Sequence, residues 1–172
     1  MSSDGVIRST NRKIIRVTPT LDNGNAYAVG DVAFVATEIP NAVLEKGGCS
    51  KIVNAYLMDQ DRDSYILQTI FTEGNTALGT INATANISDA DMEAIGLCGV
   101  SFFQSDVAST VHIDQVTIIK MQSLSGASES VEPMFIQAAD DSTSVYVSGI
   151  ISTGTPTFAA ADDLDLILHI EK

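Results

Sequence analysis

The chain has 172 residues, 45% of them hydrophobic, and its nine Lys and Arg residues against 22 Asp and Glu residues give a net charge of −13. This length suits a single domain with a substantial core, and the acidic balance argues against a nucleic-acid partner, because affinity for phosphate backbones comes largely from cations. No apolar run approaches the roughly 18 to 20 residues of a membrane span, and the N-terminus lacks the apolar core of a signal peptide, so we expect no membrane partner and maturation in the cytoplasm.

The N-terminus is basic, although the rest of the chain is acidic. Four of the nine basic residues fall within the first 16 positions, where there is a single acid. These four are Arg8, Arg12, Lys13 and Arg16. A basic segment on an acidic body stays away from its own domain only if it has another surface to lie on. We therefore predict an extended attachment arm over residues 1–21 and one folded domain over residues 22–172; the alternative is that these terminal charges are simply solvated.

The composition favours strands over helices. Ile and Val total 32 against 10 Leu, and β-branched side chains suit the pleated surface of a sheet. Period-two alternation and turn residues predict nine strands. They cover residues 14–18, 31–36, 50–58, 64–72, 99–103, 111–121, 132–138, 144–151 and 164–170. In the last of them, Asp165 and His169 share one face and four apolar residues line the other, which is typical of a strand with one face in a core.

One short helix is predicted over Asp89–Ile95. Ser88 is suited to be its N-cap, acids follow in the first turn, and Gly96 is suited to end it. A helix of about two turns is not stable alone. We therefore expect it to cap one end of the β structure, with Met92 and Ile95 pointing inward.

Nine strands joined by short turns, with one brief helix, predict an all-β fold. The architecture that suits them best is an antiparallel β-sandwich, jelly-roll-like, with one short α-helix and the extended N-terminal arm. The strand order is left open at this point.

The chain offers little catalytic chemistry. His112 and His169 are its only histidines, and both lie in predicted strands without a local nucleophile signature such as Gly-x-Ser-x-Gly. We predict that neither is catalytic. Cys49 and Cys98 are too few for a disulfide framework and are expected to be free thiols.

Three aspartates have the spacing of a calcium-binding loop. Asp59, Asp61 and Asp63 occupy alternate positions, as carboxylates do when they wrap a calcium ion. Ser64 stands where an EF-hand needs glycine, and Ile70 stands where it needs a bidentate acid. The sequence excludes an EF-hand and favours a hairpin tip with solvated acids, while cation binding by the three aspartates stays open.

No other pattern indicates a cofactor. The pairs Asp140-Asp141 and Asp162-Asp163 could supply the two carboxylates of a glycosidase, but adjacent acids in turns are usually solvated loop residues. The sequence contains neither a glycine-rich phosphate loop with its lysine nor a Cys-x-x-Cys pair. We therefore predict no cofactor, no metal centre and no enzyme activity.

Three stretches of turn and strand carry a resemblance to a known class of proteins. Residues 39–61 consist of an apolar segment, a Gly-Gly turn and a strand that leads to an acidic hairpin. Residues 79–91 contain a polar segment that leads into the short helix, and residues 152–158 precede the final apolar strand. In this order they resemble small structural proteins of tailed bacteriophages. The resemblance covers roughly residues 25–170, and its motifs include no catalytic residue.

The resemblance implies a capsid decoration, or cement, protein: a β-rich virion protein that is often a homotrimer. Such a protein binds the outside of an icosahedral head and bridges neighbouring subunits of the major capsid protein. It implies assembly in the host cytoplasm and a final place on the capsid exterior. The predicted arm is not part of the resemblance, and its role as an anchor is inferred from charge.

The candidate partner-binding residues all lie in the arm. They are Arg8, Arg12, Lys13, Ile14, Ile15 and Arg16. Three arms of a trimer make each later attachment intramolecular, so weak contacts add up to firm binding. On this hypothesis, deleting residues 1–16 leaves the domain folded and abolishes attachment.

Two rival functions remain open. A receptor- or glycan-binding module of a phage head or tail fibre would show an exposed groove with aromatic and carboxamide side chains. The available aromatic residues are Tyr27, Tyr56, Phe102, Phe103 and Tyr146. A hydrolase acting on host polysaccharide would need two carboxylates that face one cleft, about 5 to 10 Å apart.

Overall fold

The structure, a computed structural model, describes residues 11–105, 110–122 and 133–172. Within these residues the chain forms ten strands and one helix. In chain order they are β1 (Arg12–Val17), β2 (Val32–Ile39), β3 (Cys49–Asp59), β4 (Tyr65–Thr72), α1 (Asp89–Ala94), β5 (Leu97–Gln104), β6 (Val111–Ile113), β7 (Val116–Lys120), β8 (Met134–Gln137), β9 (Val145–Gly154) and β10 (Leu164–Glu171).

The strands form two antiparallel sheets. The six-stranded sheet runs β1-β10-β3-β7-β6, and β8 pairs with the edge of β3 that β7 also uses. The four-stranded sheet runs β2-β9-β4-β5. The series β1-β10-β3-β8 therefore faces the series β2-β9-β4-β5, which is the strand order of a jelly roll. This confirms the predicted all-β, jelly-roll-like sandwich.

The hydrophobic core lies between the two sheets. Every strand except β6, whose three residues are exposed, contributes inward-facing residues to it. From β10 these are Leu164, Leu166, Leu168 and Ile170. Large rings of the facing sheet, including Phe34 and Phe71, fill the space between the sheets. Gly149 lies so close to Phe34 that an added Cβ atom would be 2.4 Å from the ring, so only glycine fits there.

Two short strands, β6 and β7, replace the single strand predicted over residues 111–121. The chain turns back at Asp114, whose φ of 55° lies in the left-handed region that two-residue hairpin turns use. Ile113 pairs with Val116 across this turn. The prediction of one strand was wrong because it included the polar pair Asp114-Gln115 in the alternation, although the apolar positions change there from 111 and 113 to 116 and 118.

The helix α1 begins where the sequence predicts. The Ser88 side chain accepts a hydrogen bond from the Asp91 backbone N–H, which is the N-cap contact. Gly96 follows the helix with a φ of 62°, a left-handed conformation that ends it. Ile95 is buried as predicted, but the prediction for Met92 was wrong, since it is 37% exposed. The helix itself has no buried residue, and Ile95, which follows it, packs with Val32 and Leu78.

The predicted arm is part of the sandwich from its twelfth residue onward. The strand β1 pairs with β10 along its whole length and forms an edge of the six-stranded sheet. Ile15, Val17 and Leu21 are buried in the core. The predicted boundary between an arm at 1–21 and a domain that starts at residue 22 was therefore wrong. Deleting residues 1–16 would remove most of β1, so we no longer expect that deletion to leave the domain folded.

Candidate interaction surface

The outer side of the six-stranded sheet presents apolar and basic side chains to solvent. In β1, Ile15 and Val17 point into the core, so their neighbours point outward. The same alternation applies to the other strands of this sheet. We call this surface the open face. Its residues are Arg12, Ile14 and Arg16 (β1), Asp165, Ile167, His169 and Glu171 (β10), Cys49, Lys51, Val53, Asn54, Tyr56 and Met58 (β3), Val116, Ile118 and Lys120 (β7), Val111 and Ile113 (β6), and Phe135 and Gln137 (β8).

The strand register arranges these residues in rows across the sheet. One row consists of Arg16, Ile167, Tyr56 and Lys120. A second row consists of Asp165, Met58, Ile118 and Val111. Residues directly opposite each other on neighbouring strands have Cβ atoms about 4.5 to 5.5 Å apart. The apolar side chains are therefore neighbours and form one surface.

Four apolar residues of the open face are more than half exposed. Ile14 is 64% exposed, Val111 53%, Ile113 58% and Phe135 71%. Single exposed apolar side chains are common on soluble proteins. A group of them on one sheet, continuous with further half-buried apolar residues, is typical of an interaction surface.

The open face is basic, although the chain as a whole is acidic. Four of the nine Lys and Arg residues lie on it, and they come from three different strands. They are Arg12, Arg16, Lys51 and Lys120. Its two acids are paired, with Glu171 3.1 Å from Arg12 and Asp165 3.4 Å from Arg16. The remaining positive charge favours a partner with an acidic surface.

A cavity of about 310 Å³ opens on the open face beside β1. It is lined by Arg12, Lys13, Ile14, Val53, His169 and Ile170. The pairing of β10 with β3 shifts register between His169 and Ile170, at the same place, and such irregularities bend a strand locally. The cavity has room for a side chain of a partner, with apolar and cationic groups around it.

The centre of the open face combines an aromatic, an imidazole and a carboxamide group. The Tyr56 and His169 rings are 5.6 Å apart at an angle of 63°. The Asn54 side-chain amide donates a hydrogen bond to the Tyr56 hydroxyl at 2.8 Å. These groups can bind polar ligands as well as apolar ones.

The four-stranded sheet, in contrast, is covered on its outer side. Residues 73–96, which join β4 to β5 and include α1, pack over it, and we call them the cover. A second hydrophobic cluster forms beneath the cover. It consists of Val32, Leu78 and Ile95, with Val35, Ile70, Ala85, Ile87 and Ile150 partly buried around them. The Val32 N–H also donates to the Ala83 carbonyl at 2.9 Å. The described ranges form no such cluster over the open face.

The predicted binding residues lie in different environments. Three of them, Arg12, Ile14 and Arg16, are on the open face. Lys13 is exposed on the edge strand beside the cavity. Ile15 is buried in the core and cannot contact a partner while the sandwich is folded, so we remove it from the candidate set. Arg8 lies outside the described residues.

Sequence reasoning missed most of the open face. A strand with one solvated face alternates apolar with polar residues, but β3 and β7 contain adjacent apolar pairs. These pairs are Leu57-Met58 and Ile118-Ile119, in which one residue is buried and the other is on the open face. The apolar residues Met58 and Ile118 at outward positions, where a solvated strand carries polar ones, were the signal that could have identified the surface.

The two histidines make contacts that do not resemble a nucleophilic site. His112 Nδ1 lies 3.0 Å from the Thr117 hydroxyl, and the His169 ring contacts Tyr56. A nucleophilic site needs a hydroxyl or thiol beside the histidine that a substrate can reach, and Thr117 is buried. Cys49 and Cys98 are free thiols, as predicted, and burial raises the pKa of Cys98.

The expectation that the three spaced aspartates are solvated was wrong for Asp59, whereas Asp61 and Asp63 keep part of their surface exposed. Asp59 is buried. Asp61 and Asp63 accept hydrogen bonds from the backbone N–H groups of Ala159 and Thr157, each at 2.6 Å. In the three described ranges, no group of three His, Cys, Asp or Glu side chains could hold a metal ion.

Known proteins provide no relative from which a function could be transferred. No family model matches the chain, and no curated protein and no solved structure matches it. In the part of the chain that the structure describes, no helix is long and apolar enough to cross a bilayer. The function is therefore inferred from the exposed groups of the sandwich itself.

Proposed function

We propose that the chain is a structural virion protein, a capsid decoration or cement protein, that attaches through its open face to the exterior of an icosahedral phage capsid. Its partner is the major capsid protein, and it stabilises the shell by bridging neighbouring subunits. One observation carries the proposal: the open face is a continuous apolar and basic surface on a chain with a net charge of −13. Surfaces of this kind mark protein-interaction sites.

The composition of the open face suits a tight contact with an acidic protein surface. Burial of apolar area contributes roughly 25 cal/mol per Å². The four cations steer an acidic partner toward the face and disfavour pairing of two open faces with each other, because like charges repel. The cover, which contains four acids and no Lys or Arg, then faces solution and keeps unassembled copies apart in the host cytoplasm.

The fold supports the proposal only by analogy. Jelly rolls are a recurring architecture of viral capsid domains and of lectins. A shared fold does not establish a shared function, so the open face is the feature that supports attachment. Homotrimer formation stays a prediction; three linked open faces would make each later attachment intramolecular and raise the overall affinity.

A paired comparison of surface variants tests the proposal. The variant Ile14→Gln with Lys120→Gln removes one exposed apolar group and one charge from the open face. We expect at least a tenfold loss of affinity in co-sedimentation with purified phage heads, because the variant removes apolar burial and a charge contact at once. The matched control is Met92→Gln with Glu93→Gln, which makes the same kinds of change on the cover and should bind like the unmodified chain.

Two outcomes would contradict the proposal. If the open-face variant saturates heads at the same concentration as the unmodified chain, the open face is not the attachment surface. If the unmodified chain does not sediment with heads at all, the capsid function itself is wrong.

A second candidate function is a receptor- or glycan-binding module. The neighbouring groups of Asn54, Tyr56 and His169 favour it, because aromatic and carboxamide groups suit sugar recognition. Among the other aromatic residues, Tyr27 and Phe103 are buried in the core and cannot contribute. Binding to a glycan array that is lost in Tyr56→Ala would favour this function over capsid attachment.

A further inference from the structure

The cavity beside β1 lies over an irregularity in the pairing of β10 with β3. We call this cavity of about 310 Å³ the β1 cavity. The adjacent residues His169 and Ile170 of β10 pair with residues 54 and 52 of β3. Val53 therefore has no partner on β10, and a strand bends at such an extra residue. The β1 cavity thus coincides with a bulge and not with a flat part of the sheet.

The β1 cavity has apolar walls. Ile14 is 64% exposed at its rim, and Val53 is half-buried. Ile170, which also lines it, is fully buried and belongs to the hydrophobic core. One side of the cavity therefore rests on the packed core of the sandwich, as is usual for binding sites that exist before the ligand arrives.

Arg12 has hydrogen-bond donors left for a ligand. Its Nε lies 3.2 Å and its Nη2 3.1 Å from the same oxygen of Glu171, Oε2. A guanidinium group carries further N–H donors beyond these two atoms. The Arg12 side chain is 67% exposed, so solvent and ligands can reach them. Arg12 can therefore bind a second carboxylate while it keeps its salt bridge.

His169 supplies a second donor at the β1 cavity. Its ring contacts Tyr56 edge-on, and within the described residues its ring nitrogens make no hydrogen bond. An imidazole ring carries at least one N–H group. His169 pairs with Ile14 and is the diagonal neighbour of Arg12 across β1 and β10. Diagonal neighbours are about 7 to 8 Å apart, a distance that long side chains can bridge, so both donors can serve one ligand.

Positive charge exceeds negative charge around the β1 cavity. Lys13 lines the cavity, and in the described parts of the chain it has no salt bridge. Burial, and after it the charge of Lys13, lower the pKa of Lys172. Glu171 is the single acid among the described residues that pairs with these cations. An anionic ligand would therefore be attracted to this part of the open face.

The lining also indicates which kind of anion fits. An inorganic anion such as phosphate could use the cationic donors but would gain nothing from the apolar walls. A glutamate side chain joins a carboxylate to two methylene groups, so it can use both. A volume of about 310 Å³ is at the lower end of the range for ligand pockets. It suits one side chain and part of its neighbour.

We propose that the β1 cavity binds a glutamate side chain of the partner, together with an apolar residue next to it in the partner's sequence. The carboxylate accepts hydrogen bonds from Arg12 and His169, and the apolar residue packs against Ile14 and Val53. This inference rests on the proposed function, because it names the chemical group of the major capsid protein that the open face recognises. Such a pocketed side chain is typical of the anchor of an interface.

A blocked dipeptide tests the site without a capsid. The probe is N-acetyl-glutamyl-leucine amide, titrated into the full chain while the amide signals of Ile14 and His169 are followed by nuclear magnetic resonance. We expect saturable shifts with a dissociation constant on the order of 1 mM, which suits a ligand of about 20 non-hydrogen atoms. The glutamine analogue has the same shape without the charge and should bind about fivefold more weakly.

A charge-neutral pair of substitutions tests the donors. Arg12→Gln with Glu171→Gln removes the guanidinium and its partner together, so the net charge does not change. Because the pair is exposed, the variant should fold like the unmodified chain, and its affinity for the dipeptide should fall about fivefold. The matched control is Glu45→Gln with Lys46→Gln, which removes an exposed acid and an exposed cation outside the cavity and should leave the affinity unchanged.

Three outcomes would overturn the proposal. Equal binding of the two dipeptides would mean that the cavity recognises only the apolar residue. Shifts of the same amides with methyl glucoside but not with the dipeptide would make the ligand a neutral sugar. Dissociation of an oligomer of the chain by the dipeptide would make a second copy the occupant. If the dipeptide binds as expected but the chain does not sediment with phage heads, the capsid function is wrong and the glutamate site stands.

Discussion

The two sheets of the sandwich share one core but differ in what lies on their outer sides. The four-stranded sheet has its outward apolar residues buried under the cover by Leu78 and Ile95. The six-stranded sheet has outward apolar residues too, but its open face leaves Ile14 and Phe135 more than half exposed. A sheet with apolar residues on both sides needs another packed layer over each side. The cover is this layer on the outer side of the four-stranded sheet, and we expect a partner protein in its place on the six-stranded sheet.

The cover and the open face also differ in the sign of their charged side chains. The cover contains Glu73, Asp89, Asp91 and Glu93 and no basic residue. The open face has four cations, and its two acids are engaged in salt bridges. The protein therefore has an acidic side and a basic side, and an acidic partner surface would orient it with the cover outward.

The largest expected effect is on the free energy of unfolding. It should distinguish two neighbouring residues of β1 whose side chains point in opposite directions. Ile15→Ala should lower the free energy of unfolding by about 2 to 5 kcal/mol, because it leaves a cavity in the core. Ile14→Ala, its matched control on the open face, should change it by less than about 0.5 kcal/mol. Equilibrium unfolding in urea measures both. Equal effects would mean that β1 is not part of the sheet in solution.

The next effect concerns the attachment of the cover. Leu78→Ala should destabilise the cover by about 2 to 4 kcal/mol, because Leu78 is buried in the second cluster. The loss should appear as faster proteolysis within residues 73–96, with the sandwich still folded. The control is Leu97→Ala, whose side chain is about half exposed. If both variants resist protease equally, the cover does not depend on the second cluster.

A smaller effect is expected at the start of α1. Ser88→Ala removes the N-cap hydrogen bond to the Asp91 N–H and should cost about 1 kcal/mol of local stability. Hydrogen exchange of the Asp91 and Met92 amides measures this cost, and Ser88→Thr, which keeps the hydroxyl, should restore most of the protection. Unchanged exchange in Ser88→Ala would argue against the cap in solution.

The smallest expected effect on stability is that of the open-face cations. Arg16→Gln breaks a pair whose arginine side chain is 55% exposed, and exposed pairs contribute about 0 to 1 kcal/mol. Thermal unfolding should therefore shift little, whereas the salt dependence of binding to an acidic partner should weaken. A large loss of stability would mean that the charges of the open face serve the fold rather than a partner.

Much of the fold could be predicted because it depends on local patterns. The strand β10 and its inward residues follow from alternation alone, and α1 follows from Ser88 and Gly96. The strand over residues 111–121 was predicted wrongly because the polar pair Asp114-Gln115, where the apolar alternation shifts by one residue, carries no glycine or proline to mark a turn. The candidate site was predicted only in part, since the sequence indicated β1 but not the residues that β3, β6, β7 and β8 bring beside it.

The sequence by itself determined the strand content, the inward side of β10 and the helix cap, because periodicity and capping act over a few residues. Only the tertiary structure decided that Arg12 pairs with Glu171 at the opposite end of the chain, so that the basic segment became an edge strand. It also decided that Asp59 is buried and that one sheet is covered while the other is not. These features depend on contacts between residues far apart in the chain, which no local pattern specifies.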